Sequence, residues 1–434
     1  MVVEMKKNNV ALTPPLGWNS WDCYGPAVNE EQLLGNAKYM AENLKEYGWE
    51  YVVCDIQWSE PTAGSKGWEY IPYAHLTLDE YGRQIPALNR FPSSAGGKGF
   101  APIAEQIHDM GLKFGIHIMR GVPRLAVHQQ LPVYGTNTSC DKIASKNSMC
   151  RWNTDMYGVA YHKEGAQEYY NSIFKLYAAW GVDFVKVDDI CNTNLYPKTP
   201  YRAEKEVEMI RKAIENCGRD MVLSLSPGPA VIEKAWHLRK YANMWRITDD
   251  FWDNWELLKA MFERCEVWQR QVSEGCWPDC DMLPIGKIRV TIDGKGEYTR
   301  FTRDEQITMM TLWSIFRSPL IMGGEMREND DFTLSLMTNS ELMRMNKHSR
   351  GAEQLWRDDD SAAWKSFDED GSMYVALFNL SDCASALSVS LSDLDLEGIY
   401  TVRDIWAGGD IGTTDTEVRG EVPAHGAVLF KLTK

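Results

Sequence analysis

Residues 165–189 read GAQEYYNSIFKLYAAWGVDFVKVDD. The first part, GAQEYYNSIFKLYAAWG, has the pattern of an amphipathic helix closed by Gly181, and VDFVKVDD that of a short strand. The same unit recurs on both sides. NEEQLLGNAKYMAENLKEYG (29–48) sets Leu33, Ala37, Met40 and Leu44 at helical spacing, ends on Gly48 and leads into WEYVVCDIQW (49–58). FAPIAEQIHDMG precedes LKFGIHIMRG (112–121), and YRAEKEVEMIRKAIENCG precedes DMVLSLSPG (220–228). VIEKAWHLRKYA precedes NMWRITDD (243–250), and WELLKAMFERCEVWQRQVSEG precedes CWPDCDML (276–283). TRDEQITMMTLWSIFR precedes SPLIMGG (318–324). With PPLGWNSW (14–21) as the first strand, eight strands alternate with helices, which calls for a parallel sheet. Eight units within residues 14–345 predict a (β/α)8 barrel, and no glycine-rich nucleotide loop follows the first strand to favour a doubly wound sheet.

After about residue 350 the helices stop. MYVALFNL, ALSVSLSDL, IYTVRDIW and AVLFKLTK read as short strands, and Leu387, Val389 and Leu391 alternate with serines as in a half-buried strand. The predicted layout is a catalytic barrel over residues 1–348 and an antiparallel β-sandwich domain over residues 349–434.

Composition narrows the partners. The formal charge of −15 makes a nucleic-acid partner or an anionic membrane surface a poor fit. The start, MVVEMKKNNVALTPPLG, lacks the apolar stretch of a signal peptide, and no apolar run reaches membrane length, so a cytoplasmic location is expected. Most of the ten cysteines are expected to be free, buried thiols. Cys276 and Cys280 lack the second pair of ligands that a zinc site needs, so neither a metal nor a cofactor is expected. Seventeen tryptophans hint at carbohydrate, although most belong to core or rim.

Barrel enzymes keep their chemistry at the C-terminal strand ends, and here those ends are polar. They carry Trp18 and Asp22, Asp55 and Trp58, His117 and Arg120, Lys186 with Asp188 and Asp189, Ser226, Arg246 with Asp249 and Asp250, and Asp279 with Asp281. Alternation separates neighbours: Phe184, Lys186 and Asp188 share one strand face. A lysine does not suit the apolar helix layer, so that face points into the barrel and Asp189 points away. On the sixth strand the rule groups Arg246, Thr248 and Asp250 and puts Asp249 opposite; on the seventh, Asp279 and Asp281 share a face. Two inward carboxylates, Asp188 and Asp250, are the equipment of a glycosidase. One, held ionised by a cation, attacks the anomeric carbon; the other, its pKa raised by its neighbour, protonates the leaving group. Retention requires the two carboxyl groups to lie about 5–5.5 Å apart.

These segments together resemble glycoside hydrolase family 27, the melibiase family of α-galactosidases and α-N-acetylgalactosaminidases. The matching stretches are TPPLGWNSWDCYG, LTLDEYGRQIPALNRFP, GLKFGIH, VDFVKVDD, WRITDDFWDNW, WPDCDMLPIG and EQITMMTLWSIFRSPLIMGGEM, in order over about residues 12–350. The resemblance implies a retaining exo-glycosidase acting on terminal α-galactosyl-type residues of an oligosaccharide or glycoconjugate. It makes Asp188 the nucleophile and Asp250 the acid/base, and assigns substrate binding to Trp18, Asp55, Trp58, His117, Lys186, Ser226, Arg246 and Asp281.

Departures from the family pattern bear on the sugar. Where the family has D-D-C-W to hold the 4- and 6-hydroxyls of galactose, this chain has Asp55-Ile56-Gln57-Trp58. The loss of the second acid suits a sugar altered at C6, such as β-L-arabinopyranose. Ile190 stands where the family has a disulfide cysteine, and His117 where it has a tyrosine. Ser226, in SLSPGPA, tilts instead toward an N-acetyl sugar. Outside this class stand a metal-dependent barrel hydrolase using His117, Asp188 and Asp281, and a non-catalytic sugar-binding barrel.

Overall fold

The computed structural model describes residue 7 and residues 10–193, 197–290 and 295–434. Within the amino-terminal stretch read for a signal peptide, residues 1–6, 8 and 9 lie outside them. Eight parallel strands form one curled sheet: β1 (Leu16–Asn19), β2 (Tyr51–Cys54), β3 (Lys113–Met119), β4 (Phe184–Asp188), β5 (Val222–Leu225), β6 (Met244–Arg246), β7 (Trp277–Asp279) and β8 (Leu320–Met322). Their order is β7-β6-β5-β4-β3-β2-β1-β8. A parallel bridge between Leu283, just past β7, and Met322 of β8 brings the two edges together. Helices α1 (Glu30–Asn43), α2 (Ala101–Asp109), α3 (Ala166–Ala179), α4 (Glu204–Asn216), α5 (Ala235–Tyr241), α6 (Trp255–Trp268) and α7 (Arg303–Phe316) connect successive strands. This is the TIM-like barrel that the alternation predicts.

Local chemistry fixes the joints. Asn29 with Gln32 and Thr302 with Glu305 form capping boxes that start α1 and α7. Gly181, at φ 81°, turns the chain from α3 into β4 through a conformation that a side chain would strain. Inside the barrel Tyr51, Val53, Phe184, Val222, Met244 and Trp277 pack into an apolar floor. Lys186 follows Phe184 along β4, level with His117 on β3 and Ser224 on β5. Val185 and Val187 join the core beneath the helices. Alternation along β4 therefore carries the chain from apolar floor to polar mouth, with Asp188 uppermost.

Beyond α8 (Ser340–His348) come β9 (Arg350–Arg357), β10 (Ser361–Phe367), β11 (Met373–Asn379), β12 (Ser385–Ser390), β13 (Tyr400–Asp404), β14 (Gly409–Thr414), β15 (Glu417–Val422) and β16 (Ala427–Thr433). An antiparallel sheet runs β9-β10-β11-β16-β13-β14, and β12 pairs with β15. Val389 and Leu391 join Val375, Leu377, Val418 and Phe430 in the core between the two layers. The other face of the large sheet rests on the barrel, where Phe378 meets Phe262 of α6 at 4.9 Å and His425 stacks on Trp255 at 3.9 Å. No described helix is long and apolar enough to cross a membrane. Eight of the ten cysteines are buried; Cys217 is partly exposed and Cys383 exposed.

Candidate active site

A cavity of about 340 Å³ opens at the C-terminal end of the barrel. It is lined by Asp55, His117, Lys186, Asp188, Ser226, Arg246, Asp250 and Asp281, which come from β2 to β7 and the loops following them. Eight of the ten residues assigned from sequence therefore converge. The size suits one monosaccharide unit.

Around Asp188 the charges are ordered. His117 Nδ1 lies 2.7 Å from Asp55 Oδ2, and its Nε2 lies 3.2 Å from Asp188 Oδ2. The imidazole thus bridges two carboxylates. Burial works against its charge, but Asp55 and Asp188 prevail and raise its pKa. In return, burial opposes ionisation of Asp188, and the hydrogen bond and charge of His117, together with Lys186, prevail and hold it below the usual carboxylate range. Asp55 is held low in the same way, burial being outweighed by His117 and then Lys186. Lys186 stays charged because Asp55 and Asp281 overcome its burial.

The second carboxylate has a different setting. Asp250 reaches the cavity from the loop after β6, and its side chain is 65% exposed. Arg246, buried and kept charged, spans 3.2 Å to Asp250 Oδ1 and 2.9 Å to Asp281 Oδ2. Asp281 also accepts the Phe251 N–H at 2.8 Å, which ties the acid's loop to β7. Phe251 and Trp252 follow Asp250 in the cavity wall, and the Arg289 guanidinium lies 4.8 Å over the Trp252 ring. Arg289 is anchored in turn by the buried Asp253. Trp21, Tyr70 and Trp152 extend this aromatic rim, with Trp21 and Tyr70 stacked at 5.8 Å.

Three expectations from sequence are corrected. Trp18 is fully buried in the core and donates its indole N–H to the Gly324 carbonyl at 2.8 Å. Trp58 is buried against Phe100 and Trp180 and donates to the His117 carbonyl at 2.9 Å. Neither lines the cavity; Trp21 does. The cause is a turn inside GWNSW, where Asn19 Oδ1 accepts the Trp21 N–H at 2.9 Å and ends β1 two residues before the tryptophan that reaches the mouth. Asp249 is not opposite Asp250. Extended structure stops at Arg246, the alternation lapses, and both acids line the cavity, with Asp249 Oδ1 accepting the Asp250 N–H. Asp250 lines the cavity as its expected inward face requires, with its side chain open to solvent.

Asp189 does turn away, to Arg120 at 2.8 Å, and burial pushes its pKa up to about 7 despite that partner. On β7 the choice that periodicity left open is made by the chain beyond the strand: Asp281 lines the cavity, while Asp279 accepts the Asp281 N–H at 2.9 Å. Tyr70 and Trp152 come from irregular loops, where no period marks them. Among the described residues, no three His, Cys, Asp or Glu side chains converge as metal ligands.

Known proteins resemble this chain in sequence and fold. Residues 154–348 match the family described as alpha galactosidase A, and residues 358–432 the alpha galactosidase C-terminal beta sandwich domain. The solved structure of a GH27 β-L-arabinopyranosidase from Geobacillus stearothermophilus is 55% identical, with a TM-score of 0.94 over 98% of this chain and 97% of that one. A variant of that enzyme was solved in complex with arabinose. A Bacillus halodurans structure with the provisional name α-N-acetylgalactosaminidase is 51% identical, with a TM-score of 0.88 over 98% of this chain and 99% of that one. The α-galactosidase of Cyamopsis tetragonoloba is 26% identical across 99% of this chain and 88% of its own length. The chain belongs to glycoside hydrolase family 27, the melibiase family, and is an O-glycosyl hydrolase.

Proposed function

We propose that this enzyme is a retaining exo-glycosidase whose preferred substrate carries a terminal β-L-arabinopyranosyl group. The observation that carries the reading is Ile56. Its side chain lines the cavity beside Asp55 and is backed by Leu76, Met119, Cys150 and Met156. β-L-Arabinopyranose is α-D-galactopyranose without C6 and its hydroxyl. An apolar wall at that edge accepts the bare C5 of arabinose and leaves a galactose 6-hydroxyl without a partner, at a cost of about 1–3 kcal/mol. The balance thus moves from the galactosyl reading to arabinopyranose, in line with the name of the Geobacillus relative.

Asp188, kept ionised by His117 and Lys186, attacks C1. Asp250 donates its proton to the glycosidic oxygen as the C1–O bond breaks, leaving a glycosyl ester on Asp188. Asp250 then takes a proton from water, which attacks C1 and frees the sugar with its configuration retained. At the open mouth Asp250 meets the leaving group, which covers the acid when bound. Ser226 and the Bacillus halodurans relative favour α-N-acetylgalactosamine as a second reading. Parallel assay of the nitrophenyl β-L-arabinopyranoside, α-D-galactopyranoside and α-N-acetylgalactosaminide decides, and a larger kcat/KM for either hexoside overturns the arabinoside reading. Magnetic resonance of the first-formed sugar checks retention.

A further inference from the structure

The mechanism gives no work to Asp22, a buried carboxylate of the cavity. Asp22 lies in the single helical turn Trp21–Tyr24 after β1, is 1% exposed and lines the cavity. Its Oδ2 is buried and has no hydrogen-bond partner. No cation among the described residues comes within ion-pair distance of it, whereas Asp55 has His117 and Asp281 has Arg246. The fold makes room for it at Gly323, just after β8, where a side-chain carbon would stand 2.1 Å from Oδ2. A carboxyl group with only a scaffolding role would be paired by that scaffold, because leaving one buried and unpaired costs folding free energy. This one belongs to a residue that lines the cavity.

We propose that Asp22 is a further substrate-binding residue, its carboxyl group forming a hydrogen bond to a hydroxyl at the edge of the sugar remote from C1. This rests on the reading of Asp188 as nucleophile. In the strand order β4 is four strands from β8, so Asp22, between the ends of β1 and β8, faces Asp188 across the barrel. A pyranose with C1 against Asp188 turns C3 and C4 toward that wall. Burial, reinforced by Asp281 and opposed by Lys186, raises the Asp22 pKa well above the carboxylate range. That shift favours the protonated carboxyl, which can both donate to a sugar oxygen and accept from a hydroxyl.

The experiment is a set of double-mutant cycles between Asp22→Ala and monodeoxy substrates, run on whichever nitrophenyl glycoside the enzyme hydrolyses fastest. An error in the identity of the sugar therefore does not decide the outcome. Asp22→Ala is expected to lower kcat/KM for the parent glycoside about tenfold. The 2-deoxy glycoside should show the same loss, while either the 3-deoxy or the 4-deoxy glycoside should show none. Equal losses on all three deoxy glycosides, or no loss on the parent, overturn the proposal. Asp22→Leu, similar in shape and unable to hydrogen-bond, serves for the same cycles if the alanine variant does not fold, because replacing an unpaired buried acid with an apolar side chain should hold or raise Tm; a fall in Tm with equal losses across substrates overturns the proposal too.

Discussion

Replacing Ile56 with Asp restores the acid that the family ordinarily carries, and its effect on sugar choice can be worked out from the cavity. In the native protein a galactose 6-hydroxyl would face Ile56, backed by Leu76 and Met119, with no acceptor, a loss of about 1–3 kcal/mol. In Ile56→Asp the same hydroxyl meets a carboxylate, for a gain of about 1.5–3 kcal/mol. A combined swing of about 3 kcal/mol is roughly 100-fold in the ratio of kcat/KM for the galactoside to that for the arabinopyranoside. Ile56→Ala gives space without an acceptor and should move the ratio by only about tenfold. Absolute rates should fall in both variants: the introduced carboxylate would crowd Asp55 in a pocket already rich in acids, and the alanine leaves a void next to Met119 and Met156. The ratio within each variant cancels those losses. Steady-state kinetics on the two nitrophenyl glycosides for the native enzyme and both variants provides the numbers. A ratio that stays the same in both variants, or moves further toward the arabinoside in Ile56→Asp, refutes the assignment of Ile56 as the residue that reads C6.

Three further outcomes are expected. Asp188→Asn should cut turnover by roughly 10⁴-fold with an unchanged circular dichroism spectrum, whereas Asp189→Asn, outside the cavity and bound to Arg120, should stay within about threefold of native activity and instead lose about 1–3 kcal/mol of stability; the reverse pattern would invert the reading of KVDD. His117 has its pKa raised in the fold, so its ionised pairing contributes stability that is fully present below the unfolded value of about 6.5 and is lost as pH rises through the folded value; the Tm difference between native protein and His117→Gln should therefore shrink from pH 5 to pH 9, and a constant difference counts against the charged bridge. Trp252→Ala removes the aromatic wall next to Asp250, so KM for aryl or disaccharide substrates should rise about tenfold while the methyl glycoside is unaffected; equal changes for both would remove the leaving group from that wall.

Much of this arrangement is legible in the sequence because it depends on periods. The 3.6-residue pattern of each helix and the short apolar strands between them count out the barrel, and strict alternation in VDFVKVDD faces Lys186 and Asp188 inward. The rule fails where the strand does. At Trp18 and Trp21 a two-residue turn intervenes, and at Asp249 and Asp250 the chain has left the sheet, so a pattern with period two has nothing to act on. Trp58 holds its place in the strand-end motif, but its indole packs beneath the mouth against Trp180.

By itself, then, the sequence determined the eightfold alternation, the change to antiparallel strands after the barrel, the inward face of β4 and the substitution of Ile56 for an acid, all properties of residue type and spacing. Tertiary structure alone decided which side chains share the cavity. It placed His117 between Asp55 and Asp188, which keeps Asp188 ionised, left Asp250 open to solvent, and put Asp22 in a space vacated by Gly323 with its Oδ2 unpartnered. Those facts depend on distances between residues far apart in the chain, where burial and neighbouring charge, rather than local pattern, set the protonation and reach of each group.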